Sequence, residues 1–153
     1  MREMTCGLRK SPFISLTDSE IRHLKGEIAA IGADDSVFMF NAGAKTGYDD
    51  KTDKVFLRSD IFPNLASLHP RDLMSERAVL AHEYYGHRVN RGTKLTIGAW
   101  NDEFRASYMA AKNAPGLSHE DRRYLILDAI ERASKAGIKI TYNDFMRRAI
   151  YGY

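Results

Sequence analysis

Ala81-His82-Glu83-Tyr84-Tyr85-Gly86-His87-Arg88 follows directly on the apolar-rich run Arg77-Ala78-Val79-Leu80. The two stretches read as one helix of about 76–89, with Ser75 as its cap. Neutral imidazole is the commonest nitrogen ligand for zinc, and a glutamate beside the first histidine is the usual general base of metal-assisted hydrolysis. The familiar arrangement is H-E-x-x-H, which puts both rings on one helical face. Here the second histidine comes one residue later. At about 100° per residue, the rings of His82 and His87 would project roughly 140° apart on a regular helix, against about 40° for the shorter spacing. One ion can be shared if the helix carries an extra residue as a π-bulge, a feature common at functional sites. Gly86 occupies the position of the shorter motif's second histidine. It leaves room for a metal there, and glycine tolerates the unusual backbone.

Two histidines need a third protein ligand. The next strong candidate is Glu103, in Trp100-Asn101-Asp102-Glu103-Phe104-Arg105-Ala106-Ser107. A loop with Gly92 and Gly98 separates this segment from the first helix, so a second helix can pack across it. Ala106 and Ala110, one turn apart, would permit a close approach. Two histidines and one glutamate leave a coordination position open, which marks a catalytic rather than a structural site.

At these residues the sequence resembles the gluzincin metallopeptidases, and within them the dipeptidyl peptidase III pattern of H-E-x-x-G-H followed by E-E-x-R-A-E/D. His82-Glu83-Tyr84-Tyr85-Gly86-His87 matches the first motif. Asp102-Glu103-Phe104-Arg105-Ala106-Ser107 is similar to the second, with Asp for the first Glu and Ser for the last acid. The resemblance implies zinc held by His82, His87 and Glu103, Glu83 as the base, and Asp102 as a carboxylate orienting a ligand histidine. It covers about 30 residues of the 153. The family's proteins are far larger and their clefts are built from domains absent here, so dipeptidyl peptidase specificity does not transfer. In its small size the chain looks more like a minimal zincin domain of the kind found in bacterial secreted toxins, effectors and phage-associated modules.

Composition fits one soluble domain over 1–153, with 44% hydrophobic and 28% charged residues. The single cysteine, Cys6, excludes an internal disulfide and reads as a bystander. No apolar run reaches the roughly 18 residues of a membrane span, and no apolar segment follows the basic N-terminal residues as in a signal peptide. The expected location is the cytoplasm, or outside the cell by a route without a classical signal. Net charge is +3. The basic groups Arg88-Arg91-Lys94, Arg122-Arg123 and Arg147-Arg148 form no stripe with aromatics, so they read as solvated surface rather than a nucleic-acid face. The expected partners are a peptide or protein substrate and an inhibitor or immunity protein, with neither nucleic acid nor membrane.

An irregular arm over 1–14 precedes a helix whose capping box is Thr17 and Glu20; Ile21, Leu24, Ile28 and Ile31 form its buried face, and Gly32 ends it. Residues 36–40 and 54–58 read as two strands paired antiparallel through a long connection. By resemblance, 54–58 would be the strand above the active helix to whose edge an extended substrate adds. Asp49, Asp50 and Asp53 lack the spacing of a calcium loop and read as turn residues. Residues 60–74 are loop-like, and His69, before Pro70, reads as a surface or capping histidine. The helix of about 101–113 precedes one capped by Ser118 and Asp121, with Leu125, Ile126, Ala129, Ile130 and Ala133 on its apolar face and Gly137 as its stop. Thr141 is the expected cap of a final helix. His119, Tyr108, Tyr124 and Tyr142 are available as oxyanion donors, although amphipathic packing accounts for each.

The expectation is a mostly helical α+β domain, zincin-like, with a small antiparallel sheet on the active helix. Its chemistry would be zinc-dependent peptide hydrolysis with Glu83 as general base. The alternative is a zincin-shaped metal-binding interaction module without turnover. A small basic nucleic-acid binder with structural histidines is a third reading.

Overall fold

The computed structural model describes residues 10–92, 95–96 and 98–152. Of the arm expected over 1–14, only 10–14 fall within that span; Cys6 lies outside the described residues, as does Lys94.

Local chemistry sets the first helix, α1 (Asp18–Ala30). The Thr17 hydroxyl accepts from the Glu20 amide at 3.1 Å, and the Glu20 carboxylate accepts from the Thr17 amide at 2.9 Å. Leu24 and Ile28 bury completely, with Ile31 just beyond. Gly32, at φ +66°, then takes the left-handed conformation that lets the chain leave the helix axis.

The sheet contains β1 (Phe38–Phe40), β2 (Gly47–Asp49) and β3 (Lys54–Leu57), in the order β1-β3-β2. β1 runs parallel to β3, with Phe38 opposite Val55, and β2 runs antiparallel to β3, with Tyr48 opposite Val55. This corrects the expected antiparallel pairing of 36–40 with 54–58. The connection over 41–53 holds a strand of its own, so the chain reverses twice and β3 returns in the direction of β1. The sheet is therefore mixed, and β3 is its centre. An extended peptide cannot add to 54–58, because both edges are occupied. The outer edges belong to β1 and β2, and of these β2 lies against the segment 82–88.

Helices supply the remainder of a mostly helical α+β fold, 54% helix among the described residues. Within the segment expected to be loop, Ser59–Ile61 forms a 3₁₀ turn and α2 (Pro70–Leu73) a single turn with Pro70 at its start, where a missing N–H costs nothing. The Ser75 hydroxyl caps α3 (Glu76–Ala81), accepting from the Ala78 amide at 3.1 Å. α3 continues without a break into a π-helical turn, His82–Arg88. α4 (Trp100–Asn113), α5 (His119–Lys135) and α6 (Asp144–Tyr151) follow. Ser118 and Asp121 form the expected capping box on α5. The last helix is capped by Asn143 rather than Thr141: the Asn143 carbonyl oxygen accepts from the Met146 amide at 2.8 Å, and Thr141 lies two residues too early to reach the first turn.

The core runs from α1 through Val55 and Leu57 of β3 to Val79 and Leu80 of α3, and on to Leu125 and Ile126 of α5. α4 lies between α5 and the π-helical turn, packed against both. Among the described residues, no helix is long and apolar enough to cross a membrane.

Candidate metal centre

The spacing His82 to His87 becomes intelligible once the backbone takes i→i+5 hydrogen bonds. The Val89 amide reaches back to the Tyr84 carbonyl at 2.9 Å, a π-type bond. This geometry places residues five apart on nearly the same face. The two imidazole rings stand edge to face with centroids 4.8 Å apart.

Gly86 is required at this turn by what faces it. A Cβ there would collide with α4, standing 2.7 Å from the Ala106 Cα and closer still to the Ala106 carbonyl oxygen. Gly86 is a contact point between two backbones, and fully buried Ala106 and Ala110 complete the close approach from the other side. That approach brings Glu103 into range. His82 Nε2 lies 2.9 Å and His87 Nε2 3.2 Å from a single carboxylate oxygen, Glu103 Oε1.

The donor set and its spacing fit a divalent metal. One atom from each of His82, His87 and Glu103 lies within 4.8 Å of the others. Ligands about 2.0–2.1 Å from a tetrahedral zinc stand about 3.3 Å apart, so each nitrogen would have to move from the Glu103 oxygen by only tenths of an ångström. Two imidazole nitrogens and one carboxylate oxygen are a donor set that divalent transition metals accept.

Burial makes the group electrostatically tense. His82 is wholly buried and Glu103 is 3% exposed. Burial alone would raise the Glu103 carboxyl, yet the hydrogen bonds and charge of both histidines hold it well below the usual carboxylate range. For His87 burial works downward, and the Glu103 hydrogen bond with the surrounding carboxylates outweighs it, pushing the imidazole up to about 9. Asp102 Oδ2 stands 3.7 Å from His87 Nδ1 and accepts from the Gly98 amide at 3.0 Å. It is thus a charge neighbour of His87 and ties down the start of α4.

Glu83 is buried beside the cluster, and its Oε1 accepts from the Tyr48 amide of β2 at 3.1 Å. Desolvation pushes its carboxyl upward, partly offset by His82 and His87. β2 is pinned over the site from its other end. Asp53 accepts from the Tyr48 hydroxyl at 2.9 Å and from Arg88 at 3.1 Å, while Asp49 accepts from the Thr52 amide within the turn. Burial and the Asp53 bond raise the Tyr48 phenol to about 12. The aspartates of this loop therefore serve the turn and its anchoring. A cleft of about 180 Å³, lined in part by Tyr48, Arg91, Leu95 and Arg105, opens onto His87 and Glu103.

The remaining histidine and tyrosine candidates stand elsewhere. His69 pairs with Glu131 at 2.9 Å, and His119 sits against the end of α6. The Tyr108 hydroxyl accepts from Asn143 at 2.8 Å, Tyr124 lies beneath the Arg123 guanidinium, and the Tyr142 carbonyl accepts from Arg147.

Sequence reasoning missed a layer behind the cluster. His82 Nδ1 lies 2.8 Å from the Ser107 hydroxyl, which donates to Asp128 Oδ2 at 2.7 Å. Arg132 donates to the same carboxylate at 2.9 Å and Arg71 to its other oxygen at 3.3 Å. Burial would raise Asp128, but the flanking arginines, His82 and the Ser107 bond hold it low. The available signal was an acid placed among Leu125, Ile126 and Ala129, inside an apolar stripe where an unpaired carboxylate is costly.

No protein-family model, curated protein or solved structure matches the chain.

Proposed function

We propose that this chain is a zinc-dependent metallopeptidase domain that hydrolyses peptide bonds with Glu83 as general base. The observation that carries the reading is the convergence of His82 Nε2 and His87 Nε2 on one oxygen of Glu103, across a π-helical turn that also holds a buried glutamate. His82, His87 and Glu103 would hold the ion. Bound zinc supplies a Lewis acid that polarises a scissile carbonyl and acidifies water. Glu83 takes a proton from the attacking water and returns it to the leaving amine, a role favoured by a carboxyl pushed upward by burial. The outer edge of β2 is the place for an extended peptide. A substrate carbonyl accepting the Tyr48 N–H would release the Glu83 carboxylate that this amide now holds.

The decisive variant is Glu83→Gln. With one zinc per chain retained, cleavage of a peptide library should fall by about 10²–10⁴. Cleavage at the wild-type rate would reject the mechanism.

One observation favours a second reading, a metal-binding module without turnover: Glu83 is 1% exposed and already satisfied by Tyr48. That reading expects zinc in the purified wild-type protein and no cleavage of any library.

A further inference from the structure

We infer that Asp128, acting through Ser107, is a positioning residue that fixes the tautomer of His82 and so keeps its Nε2 available to the metal. The inference rests on the metal-centre reading above and adds a third helix, α5, to that centre.

The argument follows the protons. Asp128 is completely buried, and a carboxylate between two guanidinium groups only accepts hydrogen bonds. The single Ser107 hydroxyl hydrogen therefore goes to Asp128 Oδ2, at 2.7 Å. Ser107 Oγ, at 2.8 Å from His82 Nδ1, has only lone pairs left to offer the ring. His82 Nδ1 must then carry a hydrogen, and the order of donation is His82 to Ser107 to Asp128. With Nδ1 already carrying the fixed hydrogen, the hydrogen that Nε2 shares with Glu103 in the metal-free chain is the one an ion displaces, and the lone pair it leaves faces the site. The direction is set at the carboxylate end. Arg71 and Arg132 hold that end in place from α2 and α5.

Two substitutions break this chain differently. Ser107→Ala removes the link and leaves the Asp128–Arg132 and Asp128–Arg71 contacts standing, so the fold is retained. Asp128→Asn weakens it from the far end. Oδ2 accepts from both Ser107 and Arg132, so the amide keeps its oxygen there and loses only the charge. A neutral acceptor holds the Ser107 hydrogen less firmly, and part of the population can turn that hydroxyl to donate to His82 Nδ1 instead.

The experiment is zinc titration against a chelator of known affinity, alongside ¹⁵N shifts of the imidazole nitrogens in the metal-free full chain. The wild type should bind one zinc with His82 protonated at Nδ1. Ser107→Ala should bind zinc about 10–100-fold more weakly, with the His82 Nδ1 shift moved toward that of an unprotonated nitrogen. Asp128→Asn should move the same shift part of the way, with a smaller loss of affinity. Ser107→Thr, which keeps a hydroxyl, should retain the wild-type tautomer. Unchanged affinity and shifts in Ser107→Ala, beside a wild type that binds zinc, would overturn the inference alone. Absence of zinc binding by the wild type would overturn the metal centre on which it rests.

Discussion

Among the described residues, two groups of side chains have the composition of a metal site: His82, His87 and Glu103, and His23, Glu27 and Glu76. Their closest contacts are nearly the same, 2.9 Å between His82 and Glu103 and 2.8 Å between His23 and Glu76. Everything around them differs. The first group is buried, held by a π-helical turn against α4, and backed by Ser107, Asp128 and Arg132. The second lies on the surface of α1 and α3, where the His23 side chain is 51% exposed. Its Glu27 is already taken by Arg77, at 2.6 Å. Interatomic distance alone therefore does not distinguish a ligand set from a surface ion pair. The discriminating features are removal from water, a partner for the far side of each ligand, and the absence of a cation already bound.

Burying ionised groups costs several kcal/mol each unless partners offset it. A core made only of packed apolar residues would be simpler and at least as stable. Keeping two histidines and a glutamate at the centre is a cost in stability that makes sense if the site binds something.

The comparison breaks most visibly at Glu103. Glu103→Ala removes the oxygen on which both rings converge and should lower zinc affinity by at least about 10³-fold, on the reading that one charged ligand of three is lost. His82→Ala should do the same, and metal content of the purified variants measures both. Full zinc occupancy in the two variants would remove any distinction between the buried group and the surface one.

Next in size is Gly86→Ala. The added methyl meets backbone rather than a flexible side-chain end, so the π-helical turn and α4 must move apart. The expected loss is about 3 kcal/mol, at the upper end of ordinary overpacking. In a domain of this size it should be seen as a fall in Tm of roughly 6–12 °C. Because the same movement carries Glu103 from the histidines, zinc affinity should fall as well. An unchanged Tm would mean that the close approach at Ala106 does not hold the site together.

Much of this was legible in the sequence because it depends on local rules. Thr17 with Glu20, Ser75, and Ser118 with Asp121 announce helix starts whatever the tertiary context. The extra residue between His82 and His87 forces a choice between a bulge and no shared ion. What was not legible depends on contacts distant in sequence. Gly47-Tyr48-Asp49 has no strand periodicity and becomes β2 only because β3 offers it an edge and Asp53 anchors its end. Missing β2 reversed the expected direction of β1 and left an open edge on 54–58, which is the central strand. Asp128 likewise gains meaning only when α5 crosses behind α4.

A pH titration of the metal-free protein sharpens the contrast at a smaller scale. Glu103 lifts the His87 imidazole from its ordinary 6.5 to about 9 in the folded chain. A group raised on folding contributes stability that is complete below the unfolded value and disappears as pH climbs through the folded one. Metal-free protein should therefore lose roughly 2–3 kcal/mol between about pH 6.5 and 9 from this source, or some 4–12 °C in Tm. Saturating zinc replaces the proton and should remove most of that slope. Equal slopes with and without zinc would show that His87 and the ion do not compete for the same position.

The smallest effect belongs to the surface group, and it tests whether the contrast is real. His23 and Glu76 meet in water, and such exposed pairs contribute about 0–1 kcal/mol. Glu27 cannot turn to an ion without leaving Arg77, which also ties α3 to the Gly116 carbonyl. His23→Ala should shift Tm by no more than about 2–4 °C and leave the zinc equivalents per chain unchanged. The informative failure would be a drop in zinc content with His23→Ala while Glu103→Ala keeps its metal. Exposure and a competing arginine would then be no bar to binding, and the buried polar layer behind His82 would need a purpose other than holding an ion.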